Sequence, residues 1–129
     1  MVGLALLTVG CGQSDTEKVK STVQSYIDGL ASKDGRKVCD QLALSVQSAV
    51  QQRSKSKTCA AAVDRFESSA DGRQVAAAFH TAKITQVNAK GKVASVKLHL
   101  TIPGGSATDT TIPLEKDGDH WKITQTAGG

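Results

Sequence analysis

The side chains with the richest potential chemistry in this sequence are its three cysteines, Cys11, Cys39 and Cys59. A thiol can be acylated, oxidised to a disulfide or bound to a metal ion. Metal ligation needs clustered ligands, yet there is no CxxC and no histidine near Cys39 or Cys59. The histidines, His80, His99 and His120, are far apart and lack ligand spacing. Ser45, Ser48 and Ser54 have no nucleophile-elbow context and read as helix caps or surface residues. Gly104-Gly105 opens no helix and reads as a turn, not a phosphate cradle. Arg53, Lys55 and Lys57 form a short basic cluster, either a solvated face or a contact for anionic headgroups or wall polymers. These residues assign no catalytic group, no metal site and no cofactor.

Cys11 has a distinctive setting. Residues 1–10 are uncharged and mostly apolar, too short to cross a bilayer, which takes about 20 residues. They fit the apolar region of a secretory signal peptide. Thr8-Val9-Gly10 precede the cysteine, and the polar segment Gly12-Gln13-Ser14-Asp15 follows it. This layout resembles a bacterial lipoprotein signal, although Thr8 stands where that pattern usually has Leu and no basic residue precedes the apolar run. The resemblance implies that residues 1–10 are a signal-peptide remnant. It implies that Cys11 carries a diacylglycerol, with cleavage before it and further acylation (palmitate, for example) at the new amine. Residues 11–15 are then the lipidated tether, and the chain is anchored at the extracytoplasmic face of the cell membrane.

Cysteine parity agrees with this reading, because an odd thiol is awkward in an exported protein. With Cys11 lipidated, Cys39 and Cys59 remain to pair in an oxidising compartment. Closing a loop of about 20 residues stabilises by roughly 3 kcal/mol in the chain-entropy view. The alternative is two independent buried thiols.

The rest must position these groups, and 129 residues suffice for one core. Apolar residues are 39% and charged ones 22%, as in a soluble globular domain. Aromatics are only 3%, which predicts an aliphatic core. The net charge of +4 is spread along the chain, which argues against a nucleic-acid surface.

One domain is expected over residues 16–126, helices first and strands after. Ser14 and Glu17 have capping-box spacing, and Val19, Val23, Tyr26, Ile27 and Leu30 follow in one helical stripe that ends at Ser32-Lys33-Asp34-Gly35. A second helix is predicted over residues 35–44, capped by Asp34 with Val38, Cys39 and Leu42 inward. Ser45 is read as the cap of a third helix burying Val46, Ala49 and Val50. Residues 51–57 read as an exposed end or loop. Thr58 caps a fourth helix, with Cys59, Ala62, Val63 and Phe66 on one face. Residues 68–73 read as a loop, and residues 75–79 as a helical turn or strand entry.

Beyond residue 80 the pattern alternates. A first strand is predicted over residues 81–88, where the spacing of Ile84 and Val87 suggests a bulge or a weak register. After a turn at residues 88–92, Ala94, Val96, Leu98, Leu100 and Ile102 mark the inward face of a second strand, with Ser95, Lys97, His99 and Thr101 outward. A third strand covers about residues 107–115, with Thr108, Thr110, Ile112 and Leu114 on one face and Pro113 at an edge or bulge. A fourth covers residues 120–125, with Trp121 and Ile123 inward.

Several segments carry a family resemblance. They are Tyr26-Ile27-Asp28-Gly29-Leu30-Ala31, Lys33-Asp34-Gly35-Arg36-Lys37-Val38-Cys39, Cys59, Gly91-Lys92-Val93-Ala94-Ser95-Val96 and the closing run from Leu114 to Trp121-Lys122-Ile123. Over about residues 16–125 the chain resembles small exported lipoproteins of actinobacterial type with a nuclear-transport-factor-2-like, or cystatin-like, cone domain. The resemblance implies an α+β fold, with N-terminal helices packed on a curved four-stranded antiparallel sheet and a cone whose open end forms a pocket. Tyr26, Leu30, Val96, Leu98, Leu100, Ile112 and Trp121 are the residues expected around it.

Enzymes of this fold, ketosteroid isomerases and polyketide cyclases among them, place Asp, His or Tyr inside the cone. Here only Asp28 and Tyr26 come near, and the inward faces are aliphatic. The expectation is therefore a non-enzymatic, lipid-anchored binding module. Its ligand would be a small apolar molecule in the cone, or an envelope protein or second copy on the sheet face. An isomerase- or cyclase-like enzyme and a purely structural envelope protein are the alternatives.

Overall fold

A computed structural model describes residues 14–126. The elements are α1 (Asp15–Ser32), α2 (Gly35–Asp40), α3 (Leu44–Ser54), α4 (Cys59–Glu67), α5 (Ala70–Phe79), β1 (Lys83–Lys90), β2 (Val93–Thr101), β3 (Ala107–Asp117) and β4 (His120–Ile123). The lipidation expected at Cys11 and the leader before it lie outside the described residues.

The start of α1 follows its local chemistry. Ser14 Oγ accepts from the Glu17 amide at 3.2 Å. Its stripe of Val19, Val23, Tyr26, Ile27 and Leu30 is buried. The helix stops at Lys33, which is left-handed with φ 59°, and the Asp34 amide returns to the Gly29 carbonyl at 2.8 Å. Gly29 has a packing role here. A Cβ at this position would lie 2.8 Å from Val38 Cγ2, so the glycine lets α2 fold back closely onto α1.

The four strands form one antiparallel meander in sequence order. Its inward rows are set by register: Ile84 opposite Leu98, Val87 opposite Val96, Val96 opposite Ile112, Ala94 opposite Leu114 and Leu114 opposite Ile123. The register shift falls between Ile84 and Gln86, inside the Ile84–Val87 spacing that suggests a bulge or a weak register. Val19, Val23, Val96, Leu98, Ile112 and Ile123 are wholly inaccessible, so the contact of α1 with the sheet lies at the centre of the core. The Leu42–Ile123 bridge covers the outer edge of β4, with the Ala43 amide on the Ile123 carbonyl at 2.8 Å. The expected α+β architecture, helices on a four-stranded antiparallel sheet, is the one observed.

Several local expectations are corrected. Helix α2 ends at Asp40, because residues 41–43 are drawn off to bond β4. The cap of α3 is Ala43, not Ser45, and makes no side-chain bond. No residue of α3 is buried: Val46 and Val50 are half-covered and Ala49 is exposed. Residues 70–73 belong to α5 rather than to a loop, because Ser69 Oγ accepts from the Gly72 amide at 3.1 Å and starts that helix. Ile102, one residue past the end of β2, is 39% exposed, and Phe66 is 43% exposed.

Pro113 lies in β3, an interior strand. Its carbonyl accepts from Thr124, one residue past the end of β4. In an antiparallel pair the N–H and carbonyl of a residue point to the same side. The missing proline N–H therefore falls where the β4 ladder has already ended.

A cavity walled by helices

The Cys39 and Cys59 sulfurs are bonded, with their Cα atoms 6.1 Å apart, and the bridge ties α2 to α4. Thr58 caps α4 as its position predicts, accepting from the Ala61 amide at 3.1 Å. Helix α3 crosses the same side of the molecule with Val46 and Val50 only partly covered against the core, and it is tied by polar bonds near its two ends. Near its start the Gln47 amide group donates to the Cys39 and Leu42 carbonyls at 2.9 and 3.0 Å. At its end Arg65 Nη1 donates to the Ser54 carbonyl at 2.9 Å, and Gln51 Nε2 to that of Lys57 at 2.9 Å.

Beneath this bridged helix is a cavity of about 620 Å³. Tyr26 and Leu30 of α1, with Val38 and Leu42, form one side. Val50, Arg53 and Ser54 of α3 form another, and Ala62, Val63, Arg65 and Phe66 of α4 a third. Ser69, Val75, Phe79 and Thr126 complete the wall. Tyr26 meets Phe79 edge-on, with ring centroids 6.0 Å apart. A smaller cavity of about 230 Å³ lies beside it and shares Val50, Arg53 and Thr126 with the larger one.

Of the seven residues expected around a pocket, Tyr26 and Leu30 line the larger cavity. Val96, Leu98, Leu100, Ile112 and Trp121 line neither cavity and lie in the core cluster. Their placement is corrected from pocket wall to packed core. Alternation shows only that these residues face inward, and inward here means against the stripe of α1 and each other. The wall from α3, α4 and α5 was outside that expectation. Phe66, which the helical spacing puts on the same face as Cys59, Ala62 and Val63 yet which is 43% exposed, is the wall residue the sequence came nearest to marking.

The other singled-out residues are dispersed. Asp28 is exposed and accepts from Gln24 Nε2 at 3.0 Å. His80 and His120 are exposed, while His99 pairs with Asp109 at 2.8 Å on the outer sheet face, near Lys97. Among the described residues no three His, Cys, Asp or Glu side chains gather as a cation site. Among them, too, no helix is long and apolar enough to cross a membrane.

Two carboxylates have shifted proton affinities. Asp15, at the start of α1, accepts from Lys116 Nζ at 3.1 Å and from the Trp121 indole at 3.3 Å, and these bonds hold it below its ordinary value. Glu67, the last residue of α4, is 3% exposed, and neither carboxylate oxygen has a hydrogen-bond partner among the described residues. Burial, with the nearby charge of Asp64, pushes its carboxyl up to about 7. Glu67 had no place among the sequence candidates; only the packing of α4 on its neighbours buries it. It does not line either cavity.

No curated protein and no solved structure matches the chain. The family described as "Putative lumazine-binding" matches residues 14–127, which is essentially the whole helix-on-sheet unit. The chain belongs to that family and has its nuclear-transport-factor-2-like fold.

Proposed function

We propose that this protein is a non-enzymatic binding module, exported and lipid-anchored through Cys11, that holds a small, largely apolar molecule in the helix-walled cavity. The observation that carries this reading is the cavity itself. At about 620 Å³ it falls in the usual range of small-molecule sites, roughly 300–1,000 Å³. Its wall is mainly aliphatic and aromatic, with a few hydroxyls to orient a ligand.

The chemistry of the wall favours binding over catalysis. Apart from Tyr26, its titratable side chains are Arg53 and Arg65, and a guanidinium stays protonated and offers neither a general base nor a ready acid near neutral pH. The Cys39–Cys59 bridge supports an oxidising compartment and leaves Cys11 as the third cysteine for the lipid. The family description supports a ligand-binding role and names lumazine, a flat heteroaromatic, as one probe to try.

The test is titration of the oxidised full chain with lumazine and with the apolar fluorophore 1-anilinonaphthalene-8-sulfonate, repeated on Ala62→Phe. Ala62 is 2% exposed and lines the cavity, so a phenyl ring there takes up ligand space. The expected result is saturable binding of at least one probe, lost in Ala62→Phe while the thermal transition stays cooperative. Binding unchanged in that variant places the ligand elsewhere and overturns the reading.

A further inference from the structure

We propose that the ligand is an amphiphilic acid, with its apolar body in the larger cavity and its anionic group held by Arg53 where the two cavities meet. The proposal rests on the binding reading above and adds the chemical class of the ligand.

Three observations lead to it. First, Arg53 lies on the wall of both cavities and makes no hydrogen bond or ion pair among the described residues. Arg65, the other cation on the wall, already donates to the Ser54 carbonyl at 2.9 Å. That bond fixes the end of the helix from which Arg53 projects. Arg53 is left as the wall cation with all its donors unspent, and a planar guanidinium is suited to bidentate contact with a carboxylate or phosphate.

Second, no acidic side chain lines either cavity. From residue 41 to residue 63 the chain has no Asp or Glu at all, while Arg53, Lys55 and Lys57 are all basic. An anion entering either cavity meets a guanidinium and no carboxylate on the wall, and a neutral ligand gains nothing from that arrangement.

Third, the two cavities differ in character. The larger is mainly apolar, whereas the smaller, about 230 Å³, is bordered by Ser45, Thr124, Gln125 and Thr126. Arg53, Val50 and Thr126 stand at the boundary. A molecule spanning both would place a polar end beside Arg53 and hydroxyl donors, and an apolar end against Tyr26, Val63 and Phe79. A neutral apolar molecule would use only the larger space.

The experiment is calorimetric titration of the oxidised full chain at pH 7.5 with a matched pair below micellar concentration, decanoate and 1-decanol. They share a tail and differ in charge. Decanoate is expected to bind about 10-fold more tightly, as one charge-assisted hydrogen-bonded contact supplies. Arg53→Gln should abolish that preference by weakening decanoate binding about 10-fold, and Arg53→Lys should restore part of it. High salt should reduce it. Arg53 is exposed and unpartnered, so both variants should keep the wild-type melting temperature.

Equal binding of the two probes to the wild type overturns the acid proposal and leaves the cavity reading intact. Binding of neither overturns the acid proposal, and the lumazine and fluorophore titrations decide the cavity reading separately. A preference that survives Arg53→Gln overturns the role of Arg53. Sedimentation with phosphatidylglycerol vesicles separates the remaining source of anionic chemistry. If Arg53→Gln weakens vesicle binding while the probes bind alike, Arg53 is a membrane contact and the proposal fails.

Discussion

The two halves of this domain solve the packing problem differently. Where α1 meets the sheet, side chains from five elements interlock and leave Val19, Val23, Val96, Ile112 and Ile123 with no accessible surface. Where α3 spans α2 and α4, no side chain of the spanning helix is buried, and a cavity remains beneath it. The first region is held mainly by apolar area, whereas the second adds a disulfide and a few side-chain bonds to backbone carbonyls to its apolar contacts. A binding site needs space, and in this molecule the space lies where covalent and polar ties supplement a looser apolar packing.

This contrast predicts a gradient of mutational cost. At the top, Leu98→Ala should remove about 3–5 kcal/mol, since Leu98 is wholly buried and its surroundings cannot collapse into the hole. Urea denaturation measures it. A cost below about 1 kcal/mol would mean that the sheet side is as loosely packed as the helical side.

Next comes the bridge. Replacing Cys39 and Cys59 together by Ser should cost roughly 3 kcal/mol by the same measurement. Because the bridge ties the cavity walls, probe affinity should fall along with stability. A variant that melts lower but binds with unchanged affinity would separate the staple from the site.

Glu67 tests the helical half through pH. Its folded carboxyl is raised to about 7, from 4.5 ordinarily. The unfolded chain therefore gives up its proton first, and the folded state is penalised as pH climbs through that interval. Stability on this account is greatest below pH 4.5, declines towards about 7 and is level above it. Glu67→Gln should match the wild type near pH 4.5 and exceed it by on the order of 2 kcal/mol at pH 8. Parallel stability curves for the two proteins would show that Glu67 finds a partner or water that relieves it.

The smallest effect belongs to Val50→Ala. The side chain is half-covered and already faces empty space, so the cost should stay under about 1 kcal/mol. The same change enlarges the cavity, and a shift in probe affinity without loss of stability would sharpen the division between the halves.

Much of the frame was legible in the order of residues. The α1 stripe, its Ser14 cap, the Thr58 cap, the alternation from Ala94 to Leu100 and the Trp121–Ile123 face are local patterns, and local backbone chemistry produced the matching elements. The pairing of Cys39 with Cys59 was expected from parity once Cys11 was read as a lipidation site. The site was less legible. Val96, Leu98 and Ile112 have the same periodic signature whether they line a pocket or fill a core, and Phe66 reads as core until the neighbouring helices are placed.

Periodicity records which side of an element faces inward, because that depends on a repeat of two or of about 3.6 residues. It does not record how far away the opposing surface lies. That distance was decided by tertiary contacts: α2 closing onto Gly29, residues 41–43 drawn to the edge of β4, and α3 fastened at its two ends. The same contacts bury Glu67 without a partner and set Arg53 between two cavities, since both outcomes depend on residues far apart in the chain meeting at fixed separations.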